Sequence, residues 1–242
     1  MNAIPSIDML EAAAYALVSE RYRQSYLHDI RGGLQTLHSA VELLVRAAQS
    51  PAENAVLAEK ASTLARRAVQ NHEKSLVGLV NHVTPQREAA ARVNVGELVS
   101  DLLRFAGNDF ASKFIAINLD SSGNVTVLAE PNKFRLLLLG LFAMLADGLQ
   151  PGAVIGVKIT RSAGDALIEF KSDSPATSIP KPEELSLSVN GMSSPNELLL
   201  ALTQQWVGVH GGTLEFESDV HPHRPAALRL RYPLSAAESP SN

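Results

Sequence analysis

A chain of 242 residues with 45% hydrophobic content has room for one large domain or two small ones, each with a core of its own. The formal charge of -4, with Lys and Arg scattered along the chain instead of forming a stripe, excludes nucleic acid as an expected partner. The lack of cysteine excludes disulfides and thiolate metal sites and fits a reducing compartment.

No membrane contact is expected. The strongest apolar run, Phe134 to Leu149, is interrupted by Arg135, Gly140, Asp147 and Gly148, which leaves it too short and too broken to span a bilayer. Met1 to Leu10 carries Asp8 and Pro5 and no Lys or Arg, unlike a secretory signal. A soluble, cytoplasmic protein whose input arrives from another protein is the expectation.

From about Ser6 to Gln49 the chain is rich in Ala, Leu, Glu and Arg and free of proline, which predicts one long helix with a weak point at Gly32-Gly33. Leu27, Ile30, Leu34, Leu37, Val41, Leu44 and Ala48 recur in steps of three and four, the spacing of a coiled-coil or bundle seam. His28 falls one residue past a seam position, so its imidazole is expected on the flank, near water. A histidine side chain ordinarily titrates near neutrality, so a neutral, nucleophilic ring nitrogen is available there. Asp29 is placed to orient the ring or to accept its proton.

Ser50-Pro51 breaks this helix and starts a second one, anchored by Val56, Leu57, Leu64, Val69, Leu76 and Leu79 and ending near Val83, before Thr84-Pro85. Two helices cannot enclose their own apolar stripes, so residues 1–85 are expected to form a homodimeric four-helix bundle. Gln86 to Arg92 reads as a linker. A helix over Val95 to Phe105 follows, then strands over Ile115 to Leu119 and Val125 to Leu128 around a turn at Ser121-Ser122-Gly123-Asn124.

Next come an apolar helix from Pro131 to Leu149, best read as a core element, and a strand pair over Ala153 to Thr160 and Ala166 to Lys171. Ser172 to Pro195 is loop-rich. A helix from Asn196 to Val209, with Trp206 facing the sheet, leads into strands at Thr213 to Ser218 and Ala226 to Tyr232. Mixed strands and helices without strict alternation predict a two-layer sandwich over 93–234. Residues 235–242 are expected to be a disordered tail. His38, His72 and His82 read as surface or packing residues, and His221 and His223, with no third ligand nearby, as loop residues.

His28-Asp29-Ile30-Arg31-Gly32-Gly33-Leu34 resembles the H-box of two-component histidine kinases, in which His, an acidic residue, an apolar residue, Arg, a small residue, Pro and Leu follow one another. Gly33 stands in place of the Pro, and Gly32 in place of the Thr or Asn that positions water for dephosphorylation. The resemblance implies that His28 and Asp29 are the catalytic pair, and that Arg31 and Gly32 contact the phosphoryl group or a receiver domain.

Residues 93–234 resemble the ATP-binding domain of the same kinases. Glu130-Pro131-Asn132-Lys133-Phe134-Arg135 is similar to the opening of the nucleotide-facing helix, and His210-Gly211-Gly212 to the His-Gly-Gly before the last hairpin. The implied fold class is α+β: a long helical hairpin forming a dimeric four-helix bundle, followed by a two-layer α/β sandwich of the GHKL (Bergerat) type.

In that register the nucleotide site is degenerate. Met144 stands where a magnesium-holding Asn is usual, with Gly140 one turn earlier, and a thioether is a poor ligand for a hard cation. Asp173 survives from the adenine-reading motif without its glycines. Gly191-Met192-Ser193-Ser194-Pro195-Asn196-Glu197 retains one glycine of a phosphate loop and places an acid at a helix start.

The chain is thus similar to dimeric histidine phosphotransferases, which pass phosphate to or from receiver-domain aspartates of response regulators without ATP hydrolysis. The resemblance implies no cofactor bound by the chain itself, magnesium supplied by the receiver, an upstream sensor histidine kinase and a homodimer. The alternatives are a non-catalytic pseudokinase scaffold and an atypical active histidine kinase.

Overall fold

A computed structural model describes residues 7–49, 54–83, 88–121, 123–174, 194–217 and 227–234. The chain divides into two compact units: Ser19–Thr84, and Met1–Val18 together with Pro85–Asn242.

The first unit is a helical hairpin built from most of α1 (Ile7–Gln49) and all of α2 (Ala55–Val83). Helix α1 runs unbroken through Gly32-Gly33, although two adjacent glycines cost a helix interior about 2 kcal/mol relative to alanine. Pro51 lies outside the described residues. The buried hairpin positions on α1 are Tyr22, Ala40 and Ala47, and on α2 Ala61 and Ala68. Seven-residue spacing between Ala40 and Ala47, and again between Ala61 and Ala68, marks the stripe along which the helices touch.

Apart from Tyr22, the fully buried side chains of the hairpin are therefore small. The larger apolar residues of the expected seam divide: Leu27, Leu34, Val41 and Leu44 on α1, and Val56, Leu64, Val69 and Leu76 on α2, are exposed, while Ile30, Leu37, Leu57 and Leu79 are half-buried.

In the second unit, β1 (Ala91–Asn94) pairs antiparallel with β3 (Thr126–Ala129) in a two-stranded sheet. A five-stranded sheet runs in the order β2-β4-β5-β7-β6, with β2 at Ala116–Ser121, β4 at Val154–Ser162, β5 at Asp165–Ser172, β6 at Thr213–Glu217 and β7 at Ala227–Pro233. Strand β2 is parallel to β4, and the remaining neighbours are antiparallel.

Two expectations are corrected here. The strands flanking Ser121–Asn124 do not pair with each other; they belong to different sheets. Part of the supposed linker is also a strand, since Ala91 and Arg92 lie opposite Ala129 and Leu128. Alternation marks a strand but carries no information about a distant partner, and these partners lie more than thirty residues away.

The β4–β5 hairpin forms as read. Ala163 (φ 50°) and Gly164 (φ 96°) both take left-handed backbone, as a two-residue turn matching the strand twist requires. Strand alternation puts Ile155, Val157, Ile159, Ile168, Phe170, Leu228, Leu230 and Tyr232 on one buried face. The opposite face carries charges in register, with Arg229 donating to Glu169 at 2.8 Å.

Helix α5 (Pro131–Gly148), with Pro131 in its first turn, is buried nearly all round, from Phe134 through Ala146 apart from Arg135. Helices α3 (Val95–Phe105), α4 (Gly107–Ala111) and α6 (Pro195–Val209) complete the helical layer. Trp206 of α6 is buried and stacks on Tyr232 of β7 at 5.5 Å and on Phe134 at 6.0 Å. The observed sandwich is α+β, as read from the sequence.

Candidate functional site

The hairpin presents His28 to solvent, with its side chain 88% exposed, while Asp29 beside it is 31% exposed. Helical geometry accounts for the difference. Gly33 faces α2, because a methyl group added there would fall within the ring of His72. At about 100° per residue, Asp29 lies about 40° from Gly33 around the helix and is partly covered, whereas His28 lies about 140° away, on the free side. Asp29 Oδ1 stands 3.6 Å from His28 Nδ1, too far for a hydrogen bond but close enough to act as a neighbouring negative charge.

Gly32 shares the face of His28, one turn on, and a Cβ there would meet nothing within 4 Å. Arg31 is exposed. His28, Asp29, Arg31 and Gly32 thus line one turn of helix, with a bare patch of backbone below the imidazole.

The other histidines differ. His38 is also exposed, but its Nε2 pairs with Glu42 at 3.2 Å one turn away. His72 packs against Gly33 and its Nε2 is buried without a hydrogen-bond partner. Sequence pattern within one helix carries neither the His72 contact nor the socket at Gly33. The legible signal was the stripe of small residues, since Gly33 precedes Ala40 and Ala47 by whole heptads. His82, His221 and His223 have side chains outside the described residues.

On the sandwich, Gly140 and Met144 lie one turn apart on α5. Met144 is fully buried, and Gly140 is covered by α6, where a Cβ would come 3.2 Å from Leu199 Cδ2. Asp173 is engaged at the end of the β4–β5 ladder. Its Oδ1 accepts from the Val154 N–H at 2.8 Å and its own N–H donates to the Val154 carbonyl at 3.0 Å. Ser194 caps α6 by accepting from the Glu197 N–H at 3.3 Å, so one of the helix's own side chains occupies its first-turn donor. Gly191 lies outside the described residues.

The acidic opening of α5 makes structural contacts. Lys133 pairs with Glu130 at 3.1 Å and with Glu11 at 3.4 Å. Burial alone would lower its ammonium, but these carboxylates outweigh burial and hold it above the ordinary lysine value. Nearby, burial and then the charges of Glu11 and Glu88 push the Tyr15 hydroxyl up to about 12.

No protein-family model and no curated protein sequence matches the chain. Solved structures do. The catalytic domain of histidine kinase ThkA superposes with a TM-score of 0.51 at 13% identity, over 61% of this chain and 98% of that one. Histidine kinase AdeS of Acinetobacter baumannii gives 0.50 at 12% identity, over 86% and 98%. The chain has a histidine-kinase fold. A bacterial phosphotransferase shares this fold over 95% of the present chain and 99% of its own, with a TM-score of 0.50 and 14% identity. Among the described residues, no helix of this histidine-kinase fold is long and apolar enough to cross a membrane.

Proposed function

We propose that this protein is a phosphorelay histidine phosphotransferase, in which His28 accepts a phosphoryl group from, or returns it to, the aspartate of a response-regulator receiver domain. The observation that carries the reading is the solvent-facing His28 beside Asp29 on the free side of the hairpin. A carboxylate next to Nδ1 favours the tautomer with the proton on that nitrogen and leaves the Nε2 lone pair directed outward.

In the transfer step, Nε2 attacks phosphorus in line, the bond from phosphorus to the aspartyl oxygen breaks, and the receiver's carboxylate leaves as an anion. The phosphorylated ring keeps its Nδ1 proton, and its positive charge is offset by Asp29. Such transfer depends on positioning and charge neutralisation. The receiver supplies the magnesium.

A donor role for ATP is not part of this function. Magnesium at the usual site requires oxygen ligands, and the residues at hand do not fit the group. Met144 offers a buried thioether, Leu199 covers Gly140, Asp173 is committed to Val154, and the start of α6 is capped by Ser194. The upstream partner is then a sensor histidine kinase acting through its own receiver.

The exposed Leu34, Val41, Leu64, Val69 and Leu76 are the surface on which a second hairpin would complete a four-helix bundle. Because these side chains stay exposed while other positions make the hairpin's internal contact, they remain available for a partner.

The test offers labelled phosphoryl in two forms, as magnesium ATP and on a phosphorylated receiver domain. Label taken only from the receiver supports the reading. Label taken from ATP alone, or tight receiver binding without any transfer, overturns it, the second result favouring the scaffold.

A further inference from the structure

We propose that His72 is a positioning residue, whose ring seats in a socket at Gly33 and sets the rotation of α1 so that His28 faces away from α2. This rests on the reading of His28 as phosphoacceptor. From Ala40 to Ala47 and from Ala61 to Ala68 the fully buried hairpin side chains are methyl groups, which resist rotation and sliding less than a large knob in a specific hole does.

Gly33 is the exception. Its missing side chain is replaced by the imidazole of the opposite helix, with Nε2, Cε1 and Cδ2 all lying where a β-carbon would project. The adjacent Gly32 has open space instead, so the two glycines serve different purposes. A ring lodged against bare backbone is a rotational stop. Turning α1 in either direction drives the side chain of Asp29 or Leu37, each one turn from Gly33, toward the ring.

The Nε2 atom is buried without a hydrogen-bond partner, so at the end of the ring that enters the socket the fit is one of shape. Through this stop, His72 directs His28 and Gly32 to solvent and keeps Asp29 partly covered against Nδ1.

The test uses the full chain. Because it contains no cysteine, thiols introduced by Gln35→Cys and Glu73→Cys, both at exposed positions, are the only attachment points for spin labels. Pulsed dipolar spectroscopy then reads the distance between the helices, and label transfer from a phosphorylated receiver reads the acceptor.

His72→Ala is expected to broaden or shift the interhelical distance at unchanged helical content and to slow transfer at least tenfold. His72→Gln, which carries a side-chain atom to the same depth, keeps both near the parent values. The double change Gly33→Ala with His72→Ala, which returns a methyl to the emptied socket, recovers most of the transfer rate. Unchanged distance and rate in His72→Ala overturn the proposal. So does a rate loss in which His72→Gln and the double variant are equally impaired. If the parent protein takes no label at all, the acceptor reading fails, and the distance measurement alone then decides whether the socket sets the rotation.

Discussion

Alanine substituted at Gly32 and at Gly33 should move stability in opposite directions, although the two residues are neighbours in one helix. In an unobstructed helix interior, glycine to alanine gains about 1 kcal/mol, because alanine loses less backbone freedom on folding. At Gly32 nothing lies within 4 Å of the added methyl, so the full gain is expected. At Gly33 the same gain is opposed by the His72 ring, and overpacking of this kind costs roughly 1–3 kcal/mol, for a net loss of about 1 kcal/mol.

In thermal unfolding followed by circular dichroism at 222 nm, a 1 kcal/mol change in a unit of this size shifts the midpoint by about 4–8 °C. Gly32→Ala should therefore melt above the parent protein and Gly33→Ala below it. Gly32→Ala should at the same time transfer phosphate more slowly, because the methyl stands one turn from His28 where a receiver must approach. A Gly33→Ala protein more stable than Gly32→Ala would refute the socket. A more stable Gly32→Ala protein with unimpaired transfer would refute the docking role of that bare patch.

Other outcomes follow from burial. His28→Ala removes an exposed side chain and should leave the unfolding free energy within about 0.5 kcal/mol of the parent, while abolishing acid-labile phosphate. Denaturant titration and labelling check both halves. Trp206→Ala empties the stack between Phe134 and Tyr232 and should destabilise the sandwich by about 3–5 kcal/mol, read from the shift in denaturant midpoint. Sedimentation at micromolar concentration should give the mass of a homodimer, and Leu34→Glu with Leu76→Glu should reduce it to that of a monomer.

Local periodicity made much of this fold legible. The two long helices, the apolar α5 and the β4–β5 hairpin follow from patterns contained within each segment, and their ends fall close to where caps and turn residues place them. Nonlocal pairing was hidden. Ala91–Asn94 is too short and too polar to show a strand pattern, and the true neighbours of β2 and β3 depend on tertiary packing.

At the site, the flank position of His28 followed from heptad spacing alone, whereas the His72 socket needed the opposite helix in view. The large residues of the seam pattern, most of them exposed within one chain, concealed the buried alanines at Ala40, Ala47, Ala61 and Ala68. Asp173 resembles a remnant of adenine recognition in sequence, whereas the fold brings its carboxylate onto the Val154 amide, a partner nineteen residues away that no local pattern marks.

The most direct test of the central claim is peptide mapping by mass spectrometry at mildly basic pH, after the protein has been mixed with a phosphorylated receiver domain in the absence of nucleotide. One phosphoryl group on the peptide containing His28, and none on those containing His38 or His72, is the predicted result. Phosphate on either of those histidines, or an unmodified chain after the receiver has lost its label to water, would contradict it.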